Sequence, residues 1–495
     1  MNAYPTCLYS AEASRQLDQI AIQQYKIPAY TLMTRAAEAV LKHLHDRYPL
    51  CRKLLVCCGA GNNGGDGYVL ARLARNAGMD VNVVSLVDAE KLSGDAQTAY
   101  QQWKSQGHQL LAFTPECLDS AYVVIDALLG TGLQRDVEDE WRQCIEAINQ
   151  SSVPVISIDI PSGLDANTGA VRGIAVKAAS TVSFIALKKG MFTHQAASYC
   201  GEIIFDNLGV DAKIYRQLDA DASLLNESLL AKYLTPRQAA SHKGLYGHVL
   251  IIGGDYGMAG AVRLAAESAL RAGAGLVSVL TRPEHVAALV AGCPELMVHG
   301  LTEKPTIPES LLHKASCIVI GPGLGQGDWG NQLLGQVLQS SLPKVIDADG
   351  LNLLSAHDAP DNNWVLTPHP GEAAHLLNSV TADIQANRFT SVSLLQHTYG
   401  GVAILKGSGS LIKSEASLSV CPYGNSGMAT AGMGDVLSGV AAAFIAQGMA
   451  LPVAAEMAVL VHAIAGDRAA GNAPRGLKAS DLFSHIRQLV NPEPL

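Results

Sequence analysis

Leu54-Leu55-Val56-Cys57-Cys58-Gly59-Ala60-Gly61-Asn62-Asn63-Gly64-Gly65-Asp66-Gly67, running on into Tyr68 to Ala77, decides the fold class of this chain. An apolar run feeds five glycines within nine residues, and a helix-like pattern follows from Tyr68. Strand, glycine loop and helix in that order form the start of a βαβ unit. Without a Cβ in the way, backbone N–H groups and a helix N-terminus can come close to an anion, so the loop reads as a phosphate cradle. A tight turn alone would need one glycine. The spacing is not Gly-x-Gly-x-x-Gly with an acid about twenty residues on, which gives little support to a plain dinucleotide cofactor site.

Working outward, a helical start from about Ala11 to Arg47 precedes this stretch, and apolar runs recur at 81–87, 121–126, 153–159 and 180–187 with helix-length segments between them. Such runs predict a buried parallel sheet. The rhythm breaks between Asp211 and Ala240 and restarts at 248–253, continuing at 276–281, 316–320, 344–347, 364–367 and 402–406. Gly407-Ser408-Gly409 then predicts a hairpin into Leu411-Ile412. Two long alanine- and glycine-rich helices are expected near 434–447 and 453–471. We therefore expect two α/β domains, 1–218 and 222–495, in a chain of 495 residues that is too long for one ordinary core.

With 48% hydrophobic and 16% charged residues the chain can bury large cores, and its net charge of -9 leaves no basic footprint for nucleic acid. No segment reaches the roughly 18 to 20 continuous apolar residues of a membrane span. Met1 to Gln24 lacks a basic start followed by an apolar stretch, so it is not a signal peptide. Ten scattered cysteines without Cys-x-x-Cys spacing fit reduced thiols in a cytoplasmic protein.

Two further strand ends of the first half carry chemistry. Val123-Val124-Ile125-Asp126 leads into Gly130-Thr131-Gly132-Leu133-Gln134-Arg135-Asp136, and Ile156-Ser157-Ile158-Asp159 into Ile160-Pro161-Ser162-Gly163-Leu164-Asp165. Carboxyl ends of parallel strands converge on one crevice, so Asp126, Asp159 and the Asn62 loop can meet there. Asn and Asp oxygens suit a hard cation, and a remaining carboxylate can move protons. Taken singly, each strand-end Asp also suits a helix cap.

These three loops resemble the NAD(P)H-hydrate epimerase family, over about residues 10–212. That family has a Rossmann-like fold and interconverts the R and S forms of NADH and NADPH to whose nicotinamide ring water has added. The resemblance implies substrate contacts at Asn62, Asn63, Gly64, Gly65 and Asp66, at Gly130, Thr131, Gly132, Leu133, Gln134, Arg135 and Asp136, and at Asp159 as a catalytic residue. It also implies a potassium ion held by Asn63, Asp126 and Ser162.

In the second half, Ala431-Gly432-Met433-Gly434-Asp435 opens a helix, a phosphoryl-transfer arrangement in which the helix N-terminus stabilises anionic charge and Asp435 takes a hydroxyl proton. Ile404-Leu405-Lys406-Gly407-Ser408-Gly409-Ser410 can hold nucleotide phosphates. Thr367-Pro368-His369-Pro370-Gly371-Glu372, Gly321-Pro322-Gly323-Leu324-Gly325 and Asp347-Ala348-Asp349 stand at other strand ends. A hairpin turn also accounts for Gly407 to Ser410, and a capping turn for His369.

This set resembles the ADP- or ATP-dependent NAD(P)H-hydrate dehydratase family of the ribokinase-like fold, over about residues 225–490. It implies that Lys406, Gly407, Ser408, Gly409 and Ser410, with Asn425, Ser426, Gly427, Met428, Ala429, Thr430, Ala431, Gly432, Met433 and Gly434, hold the adenine nucleotide. Gly260 or Ala261, Gly323, His369 and Asp435 would face the hydrate. Asp435 would be the base, and magnesium is expected with ADP. Joined in one chain, the halves resemble the bifunctional NAD(P)H-hydrate repair enzymes of bacteria, two three-layer αβα domains that epimerise the hydrates and dehydrate the S form at the expense of ADP, giving AMP and phosphate. Hydrated NADH and NADPH with ADP or ATP are then the expected ligands, in a homo-oligomer. The competing reading is a ribokinase-like small-alcohol kinase behind a nucleotide-binding scaffold domain.

Overall fold

The computed structural model describes residues 5–357 and 360–492, so the outermost ends of both expected domains lie outside the described residues. The chain divides into two compact units between Ala222 and Ser223. Asp221 still belongs to the first, where its carboxylate accepts from Ser10 N–H at 2.8 Å and pairs with Lys189 at 3.1 Å. Ser223 and Leu224 instead register with Ser419 and Val420.

The first unit is built on a six-stranded sheet in the order Asp80–Ser85, Lys53–Cys58, Val123–Ala127, Val155–Ile158, Ser180–Phe184 and Glu202–Asp206. Every pairing is parallel. Successive side chains leave opposite faces of a strand. Leu54, Val56 and Cys58 accordingly enter one apolar cluster with the helices Ala11–Gln23, Ala29–Arg47, Gly61–Asn76 and Gly94–Ser105, while Leu55 and Cys57 enter another with Asp139–Gln150. The result is three layers. The single helical start expected over 11–47 is two helices, because Pro28 precedes Ala29 and cannot continue a helix entered from its N-terminal side.

In the second unit the strands run Met297–Gly300, Leu276–Thr281, His248–Ile252, Cys317–Ile320, Lys344–Ile346, Trp364–Leu366 and Val402–Leu405, all parallel. Two antiparallel strands, Ser410–Lys413 and Leu418–Cys421, follow through the expected hairpin. The helices Met433–Ala446 and Leu451–Ala470 are buried over most of their surface, which their alanines and glycines permit by letting backbones approach. Among the described residues no helix is long and apolar enough to cross a membrane.

Strand order reverses between Lys53–Cys58 and Val123–Ala127 in the first unit, and between His248–Ile252 and Cys317–Ile320 in the second. Crevices for ligands open outside the carboxyl ends of strands at such points. Gly59–Gly67 lies there in the first unit and Gly321–Gly325 in the second, whereas Gly407–Gly409 follows Val402–Leu405, three strands beyond Cys317–Ile320.

Candidate active sites

In the first unit a cavity of about 690 Å³ opens at the switch point, lined by Asn62, Asn63, Asp66, the loop from Leu129 to Arg135, and Asp159. The stretch from Asn62 to Asp66 is not a loop. The helix starts at Gly61, and its first turns turn Asn62, Asn63 and Asp66 to the cavity. Gly64 and Gly65 serve packing instead. A Cβ on Gly64 would collide with the Gly59 carbonyl, and one on Gly65 with Met33. Asp136 is exposed and does not line the cavity.

Asp126 is fully buried beneath the cavity wall rather than in it. Ser157 Oγ donates to it at 2.7 Å, Ser162 N–H at 2.9 Å, Ser162 Oγ at 2.5 Å and Leu128 N–H at 3.3 Å. Burial still pushes its carboxyl above the ordinary range, against these four donors. Ser162 Oγ also receives Leu129 N–H at 2.7 Å, and Gly130 sits against the side chain of Asn63. Asn63, Asp126 and Ser162 are thus linked through Leu129 and Gly130. Asp165 is spent locally, accepting from Arg172, Asn167 and Thr168.

Asp159 has φ +68, the left-handed region that non-glycine residues rarely adopt. It is ion-paired with Lys188, which is only 1% exposed, and its N–H is held by Val182 O at 2.7 Å. Strained backbone of this kind clusters at functional positions. The sequence reading missed several cavity residues, Lys188 and Asp18 among them. The only signal for Lys188 was a lysine directly after an apolar strand run, and Asp18 lies unremarked in a helix. Burial raises Asp18 to about 7, with Lys188 opposing and Asp159 adding to the shift. Burial also lifts Asp66 well above its usual range, reinforced by Asp159 and Asp18.

In the second unit the loops after five parallel strands meet the start of the helix Met433–Ala446. Gly321 has φ +125, and a Cβ there would strike the Asp347 carbonyl, so the two strand-end loops can lie together only with glycine at this position. Gly323 packs against Met258 and Ala261, and its carbonyl accepts Asp255 N–H at 2.6 Å. This brings Gly323 together with the Gly260–Ala261 helix start, and Leu264 on that helix packs against Gly432.

Asp347 is buried and pairs with Lys406 at 2.8 Å, while Ser438 Oγ donates to it at 2.7 Å. Burial pushes Asp347 up, but the Lys406 ammonium and the hydroxyls of Ser438 and Thr367 outweigh it and hold the carboxyl below its ordinary value. Lys406 also lies 3.7 Å from Glu372. Its charge is therefore shared with two carboxylates, Asp347 and Glu372. Asp435, in the first turn of its helix, is raised to about 7 by burial first and then by the Asp347 charge, with Lys406 opposing.

His369 caps the helix Pro370–Leu376, its Nδ1 accepting Gly371 N–H at 3.0 Å and Glu372 N–H at 3.2 Å, with its ring 57% exposed. Capping thus orients the imidazole without burying it. Asn425 forms a turn: its Oδ1 accepts Gly427 N–H and its Nδ2 donates to Asp467, both at 2.9 Å. Ala429, Thr430 and Ala431 stay exposed. The hairpin turn at Gly407–Gly409 is held from below by buried Arg388, which donates to the Leu405, Lys406 and Gly409 carbonyls at 3.2 to 3.4 Å. Arg388 and His462 were not singled out in the sequence. Burial lowers His462 to about 4 while its ring bonds the Met433 backbone at the start of the Asp435 helix.

The chain matches a family model described as NAD(P)H-hydrate dehydratase over residues 249–488, and one described as YjeF-related protein N-terminus over 29–190. It is 47% identical over 489 residues to the bifunctional NAD(P)H-hydrate repair enzyme Nnr of Coxiella burnetii, covering 98% of this chain and all of that one. It is 42% identical to the Escherichia coli K12 protein of the same name, over 99% of this chain and 95% of that one. A solved ribokinase-like superfamily protein of Enterococcus faecalis V583 is 30% identical, with TM-score 0.50, over 54% of this chain and 96% of its own. With near-complete coverage at this identity, the chain belongs to the family of bifunctional NAD(P)H-hydrate repair enzymes.

Proposed function

We propose that residues 1–222 interconvert the R and S forms of hydrated NADH and NADPH, and that residues 223–495 dehydrate the S form with ADP, giving NAD(P)H, AMP and phosphate. The observation that carries this reading is that each unit gathers its own carboxylates at the carboxyl-end side of its own parallel sheet: Asp66 and Asp159 in one, Asp347 and Asp435 in the other. Two separate acid–base centres suit two consecutive reactions on one substrate.

In the second unit Asp435 takes the proton of the ring hydroxyl as that oxygen attacks the terminal phosphoryl group. A carboxyl with a value of about 7 is ionised enough to act as base near neutrality and basic enough to hold the proton. The helix N-terminus behind Gly432 stabilises the transferring charge. The ring nitrogen's lone pair then expels phosphate, and loss of a proton from the neighbouring carbon restores the dihydronicotinamide. Ala429, Thr430 and Ala431, with Gly407 and Ser408 of the hairpin turn, are the exposed backbone offered to the nucleotide. Magnesium travels on the nucleotide phosphates, so few protein ligands are needed.

In the first unit Asn63, Asp126 and Ser162 fit a potassium ion. Asp126 is a buried carboxylate whose hydrogen-bond donors are all neutral, and the Asn63 side chain is buried against Gly130 with an amide oxygen to offer a hard cation. A monovalent cation bound there would compensate the Asp126 charge and brace the Leu129–Gly130 segment. All ten cysteines are free, in keeping with a reducing cytoplasm. Recovery of reduced nicotinamide absorbance from a mixture of both hydrate epimers with ADP or ATP tests the whole reading. Recovery limited to half of the mixture would remove the epimerase, and none with either nucleotide would remove the dehydratase.

A further inference from the structure

Resting on the epimerase reading of the first unit, we propose that Asp18 is a catalytic residue of that reaction: it protonates the departing ring hydroxyl, while Asp159 accepts the proton of the water that returns. Water adds to the nicotinamide ring as to any enamine, its hydroxyl going to the carbon beside the ring nitrogen. Inverting that carbon requires one of its bonds to break, and the route that keeps the ring closed breaks C–O. The bonding pair leaves with oxygen, which takes the proton of Asp18 and departs as water, and the nitrogen lone pair closes a planar C=N cation. A water molecule then attacks the other face, forms the new C–O bond and gives its extra proton to Asp159, and the π pair returns to nitrogen. For the opposite epimer the steps run in reverse, and before a second turnover of the same epimer Asp159 loses its proton to solvent and Asp18 regains one from it.

Asp18 reaches the cavity from the helix Ala11–Gln23 and Asp159 from the end of the strand Val155–Ile158, so the two carboxyls enter from different elements of the wall. Asp66 joins them from the helix Gly61–Asn76. Four carboxyls line this cavity, the fourth being Asp95 from the helix Gly94–Ser105, with exposed Arg15 and Arg135 and one buried cation, Lys188, which is bonded to Asp159. That pairing spends the buried ammonium on Asp159 and leaves Asp18 and Asp66 without a bonded cation. The other groups facing Asp18 do not supply a second buried cation. Arg15 is on its own helix, exposed, and paired with Glu12 at 3.1 Å, and the Tyr215 hydroxyl donates to Ile185 O at 2.6 Å. Burial raises both Asp66 and Asp18, and Asp18, at about 7, can release and regain a proton during turnover.

The test is Asp18→Asn in the full chain, with interconversion of separated hydrate epimers as the readout. Expected is a fall in kcat of order 10²- to 10⁴-fold with KM changed by no more than a few-fold. In the parent, loss of the acid form makes the rate decline above about pH 7, and this limb should be absent in the variant. Asp18→Glu should recover part of the rate and display a shifted limb. A kcat for Asp18→Asn within a few-fold of the parent overturns the proposal, as does a loss of rate with an unchanged pH profile, which marks a structural role. Should Asp18→Asn not fold, an unshifted limb in Asp18→Glu overturns it equally. A parent chain that does not interconvert the epimers overturns the epimerase reading and this proposal together.

Discussion

The Lys406 ammonium lies 2.8 Å from Oδ1 of Asp347, two residues 59 apart in sequence that meet across the end of the intervening strand Trp364–Leu366. One buried carboxylate is thereby neutralised, and the positive charge is placed where it also lowers the proton affinity of Asp435. Removing Lys406 should act on both.

Lys406→Met should destabilise the second unit by about 3 to 5 kcal/mol, because Asp347 would be left buried and unpaired. It should also raise the Asp435 value above about 7, moving the acidic limb of the dehydration profile to higher pH. Denaturant unfolding and a pH–rate series check the two effects. An unmoved limb would separate Lys406 from the electrostatics of Asp435.

Asp435→Asn keeps size and hydrogen bonding but cannot take a proton. ADP binding should survive while turnover of the S hydrate falls toward the upper part of the 10²- to 10⁴-fold range of general-base effects. Some residual rate is expected from the helix N-terminus. Calorimetric ADP binding beside single-turnover rates measures both, and a variant within a few-fold of the parent would reopen the choice of base.

Potassium should matter to epimerisation alone. Replacing it with a bulky organic cation, or changing Asp126→Asn, should slow interconversion of the epimers and leave dehydration of the pure S form as in the parent. Equal damage to both reactions would assign Asp126 a purely structural role, for which its four donors are well suited.

His462 is neutral in the folded protein, lowered from 6.5 to about 4 by burial. The unfolded chain binds a proton there as pH falls below 6.5, and the folded chain does so only near 4. The stability associated with this group is thus present above pH 6.5 and lost on acidification, about 3 kcal/mol across the interval. His462→Gln should therefore show a shallower fall in unfolding free energy between pH 7 and 4 than the parent. Parallel curves would count against this linkage.

Cutting between Ala222 and Ser223 should yield two fragments that each fold and keep one activity. Asp221 is tied to Ser10 and Lys189, and Ser223 to Ser419, so the cut leaves both sets of contacts intact. A folded second fragment that fails to dehydrate the S hydrate would refute independent sites.

What the sequence determined by itself was the order of elements and the place of the sites. Parallel strands buried on both faces read as apolar runs, and glycines mark where backbones crowd a strand end, as at Gly59–Gly67 and Gly432–Gly434. Family motifs are local in the chain, so Asp159, Asp435, Asn63 and His369 were legible from their neighbours. Tertiary structure alone decided what those residues touch. It started the helix at Gly61 instead of Tyr68, put Gly64 and Gly65 into packing, left Asp136 outside the cavity, and committed Lys406 to Asp347. It also brought Asp18 and Lys188 to the side of Asp159 and placed Arg388 under the nucleotide turn. Charge pairing and desolvation depend on distance in space and on exclusion of water, and both are set by residues far apart in the chain.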